Sequence, residues 1–249
     1  AVANILSMTG HTQVDLIGHS LGGVFTYAFC ARDHAGVVRR ATTIASPAHF
    51  SRFFGKAAGV MHLPTKWLAP AAKHIRAIAM NRAARLPRPI ATLGAMRNHI
   101  YLDSMSATCR RRWLHGAIEG LPGGDLGQLM RWITTGQFVE ADGAPPDWSM
   151  SDVFTPTLML CASGDRLIDP GAIIDAHRRL GASDKQLRVI GRAHGATRDY
   201  RHADVLLAPA AVHDVYPHII EWLGREAVTE MTVQRAQDSK GETSPAQWA

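Results

Sequence analysis

No run of about 18 uninterrupted apolar residues occurs in the chain, so nothing in it reads as a membrane-spanning helix. Cysteine is scarce. The three present, Cys30, Cys109 and Cys161, are an odd number at wide and unrelated spacing. That excludes a disulfide framework and a zinc knuckle, leaves no metal expected, and favours a reducing compartment such as the cytoplasm. Internal repeats and low-complexity tracts are absent. Acidic residues almost vanish from one stretch: between Ser51 and His115 stand 12 Lys/Arg and a single acid, Asp103. The plainer reading of that stretch is a solvated helix face. The alternative is a surface for an anionic partner such as a lipid headgroup, an acidic polymer or an acyl-CoA phosphate. No nucleic-acid motif accompanies the charge, and no nucleic-acid partner is expected. A starting methionine and a basic leader are missing too. The chain opens Ala-Val-Ala-Asn-Ile-Leu, as if inside an element, and is expected to be a piece of a longer protein. The lack of a signal peptide then says nothing of compartment.

What is present suits one sizeable core with an inserted subdomain: 249 residues, 46% hydrophobic, net charge +6. Residues 1–12 read as the end of a helix and Val14–Ile17 as a short strand. Leu21–Arg32 reads as a helix with Leu21, Val24, Phe25, Ala28 and Phe29 on one face. Val37–Ala45 is a strand stopped at Ser46-Pro47. Residues 49–150 change character: Ala, Arg, Leu and Met dominate, broken by Pro64, Pro70, Pro87, Pro89 and Pro122, and short helices are expected. Strands return at Pro156–Ala162 and Leu187–Ile190, with a helix over Pro170–Leu180. A closing helix over Ala210–Leu223 carries Val212, Val215, Ile219, Ile220 and Leu223 as its apolar stripe. From Gly224 the chain turns polar, and a disordered tail is expected. Strands alternating with helices predict an α/β class, with a mostly parallel sheet covered on both faces.

The chemistry centres on Gly18-His19-Ser20-Leu21-Gly22, a G-x-S-x-G placed after a strand and before a helix. That context puts a serine on a strained turn with its hydroxyl above the carboxyl ends of the strands. Gly18 and Gly22, two positions either side, are read as letting strand and helix pass closely. The Leu21 amide, at the helix N-terminus, is the candidate oxyanion donor. A lone serine is a poor nucleophile and needs a base oriented by an acid. After the strand Pro156–Ala162 comes Ser163-Gly-Asp-Arg-Leu-Ile-Asp-Pro170; Asp165, at the strand's C-terminal end just after a glycine, is the favoured acid, while Asp169 reads as a helix N-cap before Pro170. Among 13 histidines only His194, His202, His213 and His218 follow the last strand. His213 and His218 read as ordinary helix residues. His202 is the favoured base and His194 the alternative.

These blocks resemble the α/β-hydrolase superfamily: the elbow VDLIGHSLGG, the acid loop PTLMLCASGDRLIDP, and RHADVLLAPAAVHDVYPHIIEWL. The last block, with Thr43-Ile-Ala-Ser-Pro-Ala-His-Phe50, is similar to the lipase-like branch related to polyhydroxyalkanoate synthases, where the histidine of that block is the base. The resemblance implies His202 in that role here. Those synthases carry cysteine as nucleophile, so Ser20 points to hydrolysis rather than polymerisation. The superfamily also places four strands before the elbow, with the first oxyanion donor after the third, and these are expected in a part of the protein outside residues 1–249.

The expected organisation is a first part of a hydrolase core over 1–50, a helical cap over 51–150, a second core part over 151–225 and a polar tail over 226–249. Met61, Trp67, Leu68, Ile75, Ile78, Met80 and Met96 are candidates to line an acyl pocket, with Met130, Trp132 and Ile133 in the same position; for any one of them, plain packing of the cap is the stronger reading. The expected function is a serine hydrolase of small or lipid-like carboxylic esters, without metal or organic cofactor. An acyltransferase or synthase-like enzyme on the same triad is the first alternative, and a non-catalytic binding protein of this fold is the second.

Overall fold

The structure is a computed structural model and describes residues 1–50, 104, 106, 108–109 and 123–225. Of the expected cap over 51–150, the part before residue 123 lies outside the described residues apart from those four positions, and so do Met61, Trp67, Leu68, Ile75, Ile78, Met80 and Met96, the basic stretch and the tail beyond 225.

Among the described residues the strands are β1 (Val14–His19), β2 (Val38–Ile44), β3 (Thr157–Ala162) and β4 (Lys185–Ile190). They form one parallel sheet in the order β1-β2-β3-β4. β3 shows why the sheet is parallel and central. Its six residues are all buried, with Met159 and Cys161 facing one core and Leu158, Leu160 and Ala162 the other. A strand buried on both faces must be covered by helices on both.

On the first face lie α2 (Leu21–Ala31) and α4 (Pro170–Arg179), which bring Tyr27, Cys30, Ile173 and Ala176 to that core. On the second face the chain after β4 returns as three short helices: α5 (Asp204–Leu207), α6 (Ala211–Asp214) and α7 (Tyr216–Leu223). Val205, Ala211, Val215, Ile219 and Trp222 close that face. Trp222 is 1% exposed, and its indole N–H donates to the Ala41 carbonyl at 3.0 Å, which pins α7 to β2. α1 (Val2–Thr9) precedes β1, and α3 (Gly123–Thr135) precedes β3. Trp132 of α3 lies in an aromatic cluster with Phe50 and Phe138, and Ile133 is buried.

Two helical segments differ from the expected pattern. In α2 the inward face is Val24, Tyr27 and Cys30, while Phe25 and Phe29 stand 58% and 40% exposed. The closing helix is two helices broken at Val215, with Val215, Ile219 and Trp222 inside and Val212 and Ile220 exposed. In both segments apolar residues occupy more than one face, so periodicity alone leaves the buried stripe undetermined.

Candidate active site

Ser20 follows β1 at once and is the N-cap residue of α2, with φ 56° and ψ −122°. A non-glycine residue at this φ is strained, and such strain persists only where the surroundings over-determine it. Two contacts do so. Ser20 N–H donates to the Ile44 carbonyl at 2.8 Å, extending the β1–β2 ladder by one residue. Behind the turn, strand and helix are in direct backbone contact. A Cβ on Gly18 would stand 2.5 Å from the Gly22 carbonyl oxygen and 2.6 Å from both Cα and N of Gly23. The serine hydroxyl makes no cap bond to the helix and is left for other partners.

Among the described residues, nothing lies within 4 Å of a Cβ built on Gly22. The close approach attributed to Gly22 belongs to Gly23 instead. A Cβ there would meet the Ser46 hydroxyl oxygen at 2.0 Å and the Gly18 carbonyl at 3.1 Å. The reason is helical geometry: one residue further along, α2 turns its backbone toward the β2 end, where Ser46 sits buried.

Asp165 lies three residues beyond β3, and its carboxylate is 0% exposed. Its Oδ1 accepts from the backbone N–H groups of Leu167 (2.8 Å) and Ile168 (3.0 Å). Its Oδ2 faces His202 Nδ1 at 2.8 Å. These donors satisfy a charge that could not otherwise be buried. Asp169 is the N-cap of α4 and accepts from Gly171 N–H at 2.7 Å.

His202 sits between β4 and α5, with its side chain 4% exposed. A carboxylate can only accept, so Nδ1–H donates to Asp165. Nε2 is therefore the acceptor for the Ser20 hydroxyl, which lies 2.7 Å away. His194 stands exposed on the short 3₁₀ turn Arg192–His194, His213 is exposed on α6, and His218 is half-buried on α7. The structure thus brings Ser20, Asp165 and His202 together at the carboxyl ends of β1, β3 and β4.

Leu21 N–H, the first amide of α2, is among those a helix leaves without an intrahelical acceptor, and it adjoins the Ser20 hydroxyl. The buried thiols do not compete as nucleophiles: burial pushes Cys30 up to about 11 and Cys161 up to about 12, far from a thiolate at neutral pH. Two residues carry more than the motif announced. Ser46, in Ala45-Ser46-Pro47, fills the space that Gly23 leaves, and the doubled glycine Gly22-Gly23 was the available signal for it. His19 Nε2 lies 2.7 Å from the backbone oxygen of His202.

No protein-family model matches the sequence, and no curated protein matches it. Solved structures do. A monoacylglycerol lipase from Paleococcus ferrophilus superposes with a TM-score of 0.54 at 15% identity, over 89% of this chain and 72% of that one. A thermophilic esterase from Thermogutta terrifontis, with malate bound, gives 0.53 at 17% identity over 89% and 68%. MGS-M2, an α/β-hydrolase enzyme from a Medee basin deep-sea metagenome library, gives 0.51 at 14% over 92% and 71%. At these identities the likeness speaks to architecture alone. With its parallel sheet, its helices on both faces and these neighbours, the chain has the α/β-hydrolase fold.

Proposed function

We propose that this protein is a serine hydrolase of carboxylic esters, with Ser20 as nucleophile, His202 as general base and acid, and Asp165 as the residue that orients His202. The observation that carries the reading is the continuous chain of hydrogen bonds from the Ser20 hydroxyl through both nitrogens of His202 to Asp165, at 2.7 and 2.8 Å. The strained backbone at Ser20 supports it, since that strain leaves the hydroxyl uncommitted to the helix. Solved structures of this fold that bear esterase and lipase names make the ester the substrate class to test first.

As Ser20 Oγ attacks the ester carbonyl carbon, its proton passes to His202 Nε2 and the carbonyl electron pair moves onto oxygen. Leu21 N–H faces that developing anion, where one such donor is worth ~10²–10³ in rate. Asp165 holds the imidazole in the tautomer that leaves Nε2 free to accept, and stabilises the imidazolium that results. Collapse breaks the carbon–alkoxy bond, and the leaving oxygen takes the Nε2 proton. Water then attacks the acyl-serine, yields its proton to Nε2, and collapse returns the proton to Oγ. Ser20 in place of the synthases' cysteine supports transfer of the acyl group to water.

The test is covalent and kinetic. A fluorophosphonate is expected to label Ser20 in the wild type, with hydrolysis of a short p-nitrophenyl ester, and Ser20→Ala is expected to abolish both. Turnover that survives Ser20→Ala, or labelling at another residue, would overturn the assignment.

A further inference from the structure

The steps above leave the imidazole of His19 unused. It is the last residue of β1, paired in register with Ile44 of β2, and it directly precedes Ser20. A backbone carbonyl can only accept, so His19 Nε2–H donates to the His202 carbonyl across their 2.7 Å separation. The two rings lie 4.9 Å apart, centroid to centroid, tilted by 43°.

The chemistry gives this bond a purpose. His202 is separated from His19 by 183 positions and lies in the non-strand connection between β4 and α5. Each of its ring nitrogens holds one of the hydrogen bonds described above, and the one to Ser20 is broken each time Oγ carries an acyl group. During that interval the imidazole must still activate water at the same carbon. Its backbone therefore needs a tether that takes no part in the proton transfers of the cycle. The His19 bond is such a tether, and it runs to the strand that also carries the nucleophile. Nucleophile and base are then referenced to one rigid element rather than to two independent loops.

We propose that His19 is a positioning residue: its Nε2–H holds the backbone of His202 at the distance from Ser20 that proton transfer requires. The proposal rests on the reading of Ser20 and His202 as nucleophile and base. It predicts that the donor, and not the ring, is what matters at position 19.

Two substitutions in the full chain separate those properties. His19→Gln keeps an N–H of similar reach and loses the ring. His19→Phe keeps a ring against His202 and loses the donor, with His19→Leu as a second donor-less variant should the phenylalanine not fold. His19→Gln is expected to retain kcat within about 3-fold, while the donor-less variant loses about 10- to 100-fold in kcat with KM within about 2-fold, the scale of a misplacement below an ångström. A second readout does not depend on turnover. The downfield Nδ1 proton of His202 is expected to remain visible in the wild type and His19→Gln, and to exchange away in the donor-less variant. Equal kcat and an unchanged proton signal without the donor would overturn the proposal, as would equal losses in both variants. If Ser20→Ala retains turnover, the nucleophile assignment has failed, and the proton signal alone decides for or against the tether.

Discussion

The elbow offers a test in which two glycines of one motif are expected to behave in opposite ways. At Gly18 an added methyl would stand 2.5–2.6 Å from backbone atoms of Gly22 and Gly23, whereas real Cβ contacts essentially never fall under 3.0 Å. No side-chain rotation relieves this, because the obstacles are main chain. The N-terminus of α2 must retreat from β1 by roughly half an ångström or more. Overpacking of this kind costs about 1–3 kcal/mol, and the same retreat moves Ser20 and Leu21 N–H, for which a rate loss of about 10- to 100-fold is expected. At Gly22 the built Cβ meets nothing described within 4 Å, and the residue is helical. Alanine there is expected to be neutral or to stabilise by up to about 1 kcal/mol, the helix-interior difference between the two residues. The two variants should thus differ by about 1–4 kcal/mol, the sum of those ranges. Denaturant midpoints measure the stability difference, and the rate of fluorophosphonate labelling reports the position of Ser20. A Gly22→Ala variant as damaged as Gly18→Ala would refute the reasoning. So would a Gly18→Ala variant indistinguishable from wild type in both assays.

Two other expectations follow from single contacts. Asp165→Asn should lower kcat by about 10³–10⁴-fold, because the amide can donate to Nδ1 and favour the wrong tautomer, whereas Asp169→Asn, at a position where asparagine caps equally well, should leave kcat near wild type; steady-state ester hydrolysis by the pair checks this. Asp214 concerns pH. Its burial raises its pKa, but bonds from the Thr197 hydroxyl and N–H and the Tyr200 hydroxyl outweigh that and hold it below 3.8. A folded value below the unfolded one means that its stabilisation is present above the unfolded value and is lost as pH falls through the folded one. Asp214→Asn is therefore expected to lower the thermal midpoint at pH 7 and to shrink the difference from wild type as the pH approaches 3, followed by calorimetry across that range.

What the amino-acid order determined by itself was local. The nucleophile position is legible because strand, turn and helix are adjacent in the chain, and Gly18-His19-Ser20-Leu21-Gly22 between Val14–Ile17 and an apolar helix states that geometry within a dozen residues. The N-cap role of Asp169 before Pro170 is equally local, and so is the strand character of Thr157–Ala162, apolar at every position after Thr157 because both its faces are covered. Tertiary structure alone decided which face of α2 turns inward, since Phe25 and Phe29 compete with Val24 and Tyr27 on an element that is apolar nearly all round. It decided that Gly23 rather than Gly22 takes the close approach, through Ser46, a residue from the next strand's end. It also decided which of four late histidines reaches Ser20. His202 and His194 are eight positions apart, and no periodicity separates them. The choice depends on a contact of 2.7 Å between residues 182 apart, and such contacts arise from how loops converge over a sheet, which sequence order does not encode at short range.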